Sequence, residues 1–133
     1  MAIYVPTSPY YNINFAVGEQ RASVTVMPGQ SDSADQVEAV DAVRALLQPV
    51  IDGTYVSTSC VYEISDEDII DDSSVRMQPA RFNFIETSDE TGDRVTIFVP
   101  WYKGVGGQQA KKTLGQSMAT ALSGDRIQYK FRS

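Results

Sequence analysis

The chain has 133 residues, 42% of them hydrophobic and 21% charged, a balance typical of one folded domain with a single core. It has one cysteine and no histidine, which excludes an intrachain disulfide framework, histidine-based nucleophile pairs and histidine-containing metal sites. The apolar runs are far shorter than the roughly 20 residues needed to span a bilayer, so we expect no membrane segment.

The charge is divided unevenly along the chain. The net charge is −6, but residues 101–133 carry +5 whereas the first 100 residues carry −11. An acidic body with a basic end favours attraction between copies of the chain or to a complementary partner. The alternative is that both kinds of charge mix over one compact surface.

The chain begins with a segment that predicts an extended arm. Residues 1–10 contain two prolines and no helical period, and each proline favours an open backbone in the residue before it. We expect Tyr4, Tyr10 and Tyr11 to give this arm amphipathic contact area for a neighbouring subunit. The remaining residues, 11–133, are predicted to form one domain.

The first elements of the domain are a hairpin and a helix. Alternating segments at Tyr11–Val17 and Arg21–Met27 flank a glycine-containing turn and predict two paired strands. The stretch Ser33–Gly53 then has the clearest helical period, with Ser33 and Gln36 in the spacing of a capping box and Pro49 ending the helix. Its predicted buried face consists of Val37, Val40, Val43, Leu47 and Val50 or Ile51.

A long strand, Thr54–Ile64, is predicted next because the segment is rich in β-branched and aromatic residues. Val56 and Cys60 are expected on its buried face, with Cys60 as a small hydrophobe. The acidic segment that follows, Asp66–Ser74, is predicted to be a solvated loop. Its carboxylates at 66–72 offer oxygen ligands for a cation but lack the spacing and central glycine of an EF-hand.

The last part of the chain predicts a second hairpin, a second helix and a final strand. Arg81–Glu86 and Arg94–Val99 flank a turn at Thr87–Asp93, in which Gly92 supplies the permissive backbone. A helix at Gln108–Leu122 has Ala110, Leu114 and Met118 on its apolar side, although Gly115 inside it costs about 1 kcal/mol relative to alanine. Ile127, Tyr129 and Phe131 then alternate with polar residues and predict a half-buried strand.

The order ββαβββαβ therefore predicts an α+β domain with two helices on a mainly antiparallel sheet. No internal repeat is detected in the sequence. No set of catalytic residues emerges either: Cys60 has no basic neighbour in sequence, and the glycines before Lys111 lack the spacing of a Walker loop. We therefore expect no enzyme activity, no cofactor, no metal and no small-molecule substrate.

Four basic residues near the end of the chain remain as candidates for partner binding: Lys111, Lys112, Lys130 and Arg132. Together with Tyr129 and Phe131, they provide charge and stacking rings of the kind that binds single-stranded nucleic acid. Strand alternation turns both rings toward the core, and the pI of about 4.5 disfavours nucleic acid as a partner. A basic rim around core aromatics is the preferred interpretation.

The core from Gln36 to Tyr102 resembles small virion proteins encoded among the head and tail genes of tailed bacteriophages. The resemblance covers about half the chain and lies in Leu47-Gln-Pro-Val-Ile after an amphipathic helix, Gly53-Thr-Tyr-Val, Arg81-Phe-Asn-Phe and Val99-Pro. It implies a capsid decoration (cement) protein that binds copies of itself and a major capsid protein. Tail-tube, tail-terminator and connector subunits are the alternatives. We expect such a protein to be made in the host cytoplasm and located in the virion.

Overall fold

The computed structural model describes residues 10–61, 80–87 and 89–132, with side-chain detail omitted for Val61 and for 89–94. The predicted order ββαβββαβ and the α+β class are confirmed. The elements are β1 (Tyr10–Val17), β2 (Gln20–Val26), α1 (Ser33–Leu47), a 3₁₀ turn (Gln48–Val50), β3 (Thr54–Val61), β4 (Ala80–Glu86), β5 (Asp89–Val99), α2 (Gly107–Leu122) and β6 (Tyr129–Arg132).

The strands form two antiparallel sheets of three strands each. One sheet has the order β2-β1-β3 and the other the order β5-β4-β6. In the first, Tyr11 pairs with Val26 and Cys60; in the second, Phe84 pairs with Val95 and Phe131. The inner faces of both sheets and the apolar faces of both helices share one hydrophobic core.

The two sheets show that the chain contains an internal structural repeat, residues 10–61 and 80–132, which the sequence did not reveal. Each half is a hairpin, a helix and a third strand that pairs with the first strand of its hairpin. The Thr25 hydroxyl donates to Asn12 Oδ1 at 2.7 Å, and the Thr96 hydroxyl donates to Asn83 Oδ1 at 2.9 Å, each residue 71 positions later. The buried helix positions also correspond: Ala39, Val40, Val43 and Leu47 match Leu114, Gly115, Met118 and Leu122, 75 positions later.

The two halves are joined by hydrogen bonds between their loops, in two corresponding places. Gly29 N–H donates to the Leu122 carbonyl at 2.7 Å, and the Gly29 carbonyl accepts from Ile127 N–H at 3.0 Å. On the other side, Asp52 N–H donates to the Trp101 carbonyl and Lys103 N–H to the Val50 carbonyl. Within each pair, the loop that enters one helix contacts the loop that leaves the other, the arrangement expected about a local two-fold axis.

The start of α1 differs from the capping box that the sequence predicted. Asp32 is the N-cap, and its carboxylate accepts from Ala34 N–H at 2.8 Å. The Gln36 side chain instead points into the core, where its Oε1 accepts from the Tyr11 hydroxyl and its Nε2 donates to the Gln30 carbonyl. Val40, Val43 and Leu47 are buried as predicted, whereas Val37 is 57% exposed.

Two further predictions need correction in the second half. β5 begins at Asp89, so Gly92 lies within a strand and the turn is shorter than the predicted Thr87–Asp93. Gly115 was predicted only to destabilise the helix, but the packing of α2 explains why a glycine stands there. A Cβ built there would lie 2.6 Å from the Phe131 ring, so a residue without a side chain lets β6 lie directly against α2.

Candidate interaction surface

The strand β3 is the most exposed regular element that the structure describes. It pairs along one edge with β1, from Tyr10–Val61 to Ala16–Thr54, and within the described residues no second strand lies on its other edge. Six of its side chains are exposed, namely Thr54, Val56, Ser57, Thr58, Ser59 and Cys60. Among the described elements the strand therefore has an open edge, and it exposes side chains on both of its faces.

β3 is anchored to the rest of the protein through Tyr55. The Tyr55 ring contacts Phe15 edge to face, with centroids 6.1 Å apart, and the Arg44 guanidinium of α1 lies 5.2 Å from its centre. Its hydroxyl lies 2.8 Å from the Thr58 hydroxyl. Next to this anchor, Val56 forms a bulge, because Tyr55 pairs with Phe15 while Ser57 already pairs with Asn14.

The predicted burial of Val56 and Cys60 is therefore wrong. Val56 is 51% exposed and Cys60 is an exposed free thiol. α1 packs against α2 and over β1, so the core-side face of β3 beyond Tyr55 is not covered by a helix. The available signal in the sequence was the run Ser57-Thr58-Ser59, which offers no apolar side chain to either face of the strand.

The outer face of the first sheet is polar and largely uncharged. Ser23 donates to Asn14 Oδ1 at 2.6 Å, and Asn14 Nδ2 in turn donates to the Ser57 hydroxyl at 3.2 Å. This chain of hydrogen bonds crosses from β2 through β1 to β3. The face is therefore held in a fixed arrangement by neutral side chains.

The basic residues near the end of the chain do not form one patch. Lys130 and Arg132 are exposed on the outer face of the second sheet, the face that also carries Arg81. Lys111 and Lys112 lie on α2, on the other side of that sheet, and the Lys111 ammonium lies 5.4 Å from the centre of the Phe82 ring. The four predicted partner-binding residues are thus split between two surfaces.

The acidic residues include a group on the exposed side of α1. Asp35, Glu38 and Asp41 face solvent there, and Asp41 pairs with Arg44 at 2.8 Å. The hydrogen bond that Arg44 donates to the Asp41 carboxylate raises the pKa of the Arg44 guanidinium above its usual value. The acidic segment 66–72 lies outside the described residues.

The tyrosines predicted for the arm lie in different places. Tyr10 and Tyr11 belong to β1 and are buried in the core at 1% and 6% exposure, so they form part of the domain and not an exposed arm. The predicted boundary of the arm at residue 10 therefore moves to residue 9. Tyr4 lies outside the described residues.

An open cleft of about 340 Å³ lies where the β1–β2 turn meets the loop between α1 and β3. Its charged lining residues are Asp52 and Lys103, both exposed. The residues that the structure describes contain no group of three or more acidic or cysteine side chains placed to hold a metal ion. None of the helices in the described residues is long and apolar enough to cross a membrane.

The fold is thus a duplicated ββαβ unit, and among the outer strands of its two sheets β3 is the most exposed in the part of the chain that the structure describes. No family model, curated protein or solved structure matches this chain.

Proposed function

We propose that the protein is a non-enzymatic structural subunit that works by assembly, specifically a capsid decoration protein of a tailed bacteriophage. The observation that supports an assembly role is β3, an eight-residue strand with an open edge and exposed faces. Unpaired N–H and C=O groups along such an edge are a template for a further strand. The virion setting and the major capsid protein as partner are supported by the sequence resemblance over residues 36–102.

Natural proteins usually protect the open edges of their sheets, and the sequence of β3 lacks several of the usual protecting features. Edges are commonly blocked by charged side chains, prolines, bulges, short length or a covering element. The sequence of β3, TYVSTSCV, contains no charged residue, no proline and no glycine. The bulge at Val56 lies near one end of β3, and the segment 57–61 beyond it has no charge, no bulge and no covering strand among the described residues, which favours a partner in the working state of the protein.

Binding to expanded phage capsids tests this proposal. The wild-type protein is expected to co-sediment with the shells, and Ser59→Lys, which places a charge on β3, is expected to weaken binding by at least about tenfold. Thr113→Lys on the exposed side of α2 adds the same charge elsewhere and should bind like the wild type. A protein that stays monomeric and binds no shell contradicts the proposal.

The arm contributes a second test of the same role. Because β1 begins at Tyr10, deletion of residues 1–9 removes none of its strand, and we expect the domain to stay folded. If the arm packs on a neighbouring subunit, the deletion should weaken oligomerisation or shell binding by more than about tenfold. If the truncated protein assembles fully, the arm does not contribute to contacts between subunits.

Tail-tube, tail-terminator or connector subunits are the alternative within the same class. Such subunits form closed rings, which negative-stain images of the purified protein would show directly. A decoration protein is expected to appear as small oligomers that bind only to shells.

A nucleic-acid-binding role is the second candidate because Arg81, Lys130 and Arg132 share the outer face of the second sheet. The Arg81 guanidinium there lies 5.3 Å from the centre of the Phe98 ring. If this face contacts phosphates, affinity for single-stranded DNA should fall steeply with salt, and Lys130→Ala with Arg132→Ala should weaken it more than Lys112→Ala. A protein that does not bind single-stranded DNA at low salt would contradict this function.

A further inference from the structure

We infer that the open edge of β3 pairs antiparallel with β3 of a second copy, joining two three-stranded sheets into one six-stranded sheet with two-fold symmetry. This inference rests on the proposed assembly role and names the partner of the strand that supports it. The partner is the same chain, and the interface is isologous, the commonest kind among soluble oligomers.

The absence of charge on β3 favours pairing with its own copy. Pairing about a two-fold axis places each strand against its own sequence, so any charged residue near the middle meets a like charge, which is destabilising. β6, the corresponding edge of the second sheet, carries Lys130 and Arg132 in four residues and would repel its own copy. β3 carries no charge in eight residues.

The hydroxyl-bearing side chains of β3 also suit pairing with a second copy. Hydroxyl-bearing residues opposite one another form favourable cross-strand pairs, and Ser57, Thr58 and Ser59 supply them on both sides of the strand. On the outer face, the neutral row from Ser23 through Asn14 to Ser57 continues to the edge of β3 without meeting a charge. A second copy would therefore extend this neutral face across the axis.

The shape of β3 determines where the two-fold axis can lie. The bulge at Val56 confines regular β geometry to residues 57–61, and Ser59 is the middle of that segment. A two-fold axis at Ser59 places Ser59 opposite its counterpart and Cys60 opposite Thr58 of the second copy. Thr58 and Cys60 lie on the face that no described helix covers, so none of the described elements obstructs the approach of a second β3 there.

Disulfide trapping tests the inference, since the chain has one cysteine, which can be removed without loss of a core contact. Directly opposed residues of antiparallel strands have Cα atoms about 4.5–5.5 Å apart, within the range that a disulfide bridges. In a Cys60→Ser background, Ser59→Cys should form covalent dimers under mild oxidation at least about tenfold faster than Thr113→Cys on α2. Both positions are exposed, so collision alone gives equal rates.

Sedimentation provides the matched equilibrium measurement. Ser59→Lys should shift the protein from dimer toward monomer, raising the dimer dissociation constant by at least about tenfold, whereas Thr113→Lys should leave it unchanged. The fluorescence of Trp101, the single tryptophan and fully buried, reports whether each variant is folded.

The outcomes separate this inference from the proposed function. Equal trapping rates at 59 and 113, or a dimer that Ser59→Lys leaves intact, overturn the pairing through β3 even if the protein binds shells. A dimer trapped at residue 59 in a protein that binds no shell confirms the pairing and removes the capsid role.

Discussion

The third strands of the two halves, β3 and β6, occupy the same place in the same topology but differ in every surface property. β6 has four residues, two of them basic, and lies directly against α2. β3 has eight uncharged residues, and α1 leaves it uncovered beyond Tyr55. The two strands have therefore diverged: the protein's own helix covers the inner face of β6, whereas the inner face of β3 is left exposed.

The difference between the helices explains the difference between the strands. Gly115 of α2 leaves room for the Phe131 ring, whereas the corresponding position of α1 is the larger Val40. Phe131 fills that room and also packs against Phe82 and Phe84, with ring centroids 6.0 and 5.7 Å away. At the corresponding position of β3, opposite Ile13, stands the exposed Thr58. Packing a helix over the inner face of the third strand thus takes a small residue on the helix and a large one on the strand.

The largest expected effect comes from the hydrogen-bonded contact that holds the two halves together. A Cβ on Gly29 would lie 2.1 Å from the Ile127 carbonyl oxygen. That oxygen belongs to the main chain, so it cannot turn aside as a flexible side chain could. Gly29→Ala should therefore lower the free energy of unfolding by roughly 3 kcal/mol or more. Urea denaturation followed by Trp101 fluorescence measures it.

Gly18→Ala is the matched control, because Gly18 has a positive φ of 59° but no atom within 4 Å of a built Cβ. Gly18→Ala should lower the free energy of unfolding by only about 1 kcal/mol, because alanine disfavours the left-handed backbone conformation. Equal losses at both glycines would mean that the loop contact does not hold the halves together.

The next effect compares corresponding residues of the two third strands directly. Phe131→Ala removes a half-buried ring from between α2 and β4, and we expect a loss of about 2 kcal/mol, below the range for fully buried rings. Thr58→Ala should change stability by less than about 0.5 kcal/mol. If chemical denaturation gives similar values for both, β3 is as well packed as β6 and the contrast between them is wrong.

Gly115→Ala tests the packing between α2 and β6 with a smaller change. The added methyl overlaps the Phe131 ring, but alanine favours the helix by about 1 kcal/mol, so the net loss should be small, about 1 kcal/mol. Combined with Phe131→Leu, the same substitution should become neutral or stabilising. A loss of equal size in both backgrounds would show that the ring is not what requires glycine, and Gln116→Ala, on the exposed side of α2, controls for helix propensity.

The smallest effect concerns pH and the link between the loops of the two halves. The Ser31 hydroxyl and the Ser31 N–H, the latter at 2.9 Å, donate to the Asp125 carboxylate and hold its pKa below the usual value. A lowered pKa in the folded state gives stability that is present above the unfolded value of about 3.9 and is lost as pH falls through the folded value.

Asp125→Asn should therefore be less stable than the wild type at pH 6, with the difference shrinking below about pH 4. Urea midpoints measured from pH 2.5 to 6 check this, with Glu38→Gln, an exposed carboxylate of α1, as the charge-matched control. A difference between wild type and Asp125→Asn that stays constant across this range would exclude the carboxylate as its source.

The sequence by itself determined the local elements and their order. Helical and strand periods are set by neighbouring residues, so α1 and α2, both hairpins, and the burial of Val40, Val43 and Leu47 were predictable. The same alternation placed Lys130 and Arg132 together on one face of β6. These features depend on which residues of one element share a side.

The tertiary structure alone decided which of those sides are covered. Periodicity groups Val37 with Val40 but does not place another element over both, and α2 and the sheets cover Val40 only. Likewise, the burial of Cys60 depended on a helix above β3, and α1 lies elsewhere. The repeat was hidden from the sequence because tertiary surroundings, and not periodicity, select the side chains at corresponding positions. The two halves keep the positions of their buried residues, but the residues themselves differ, as Val40 and Gly115 do.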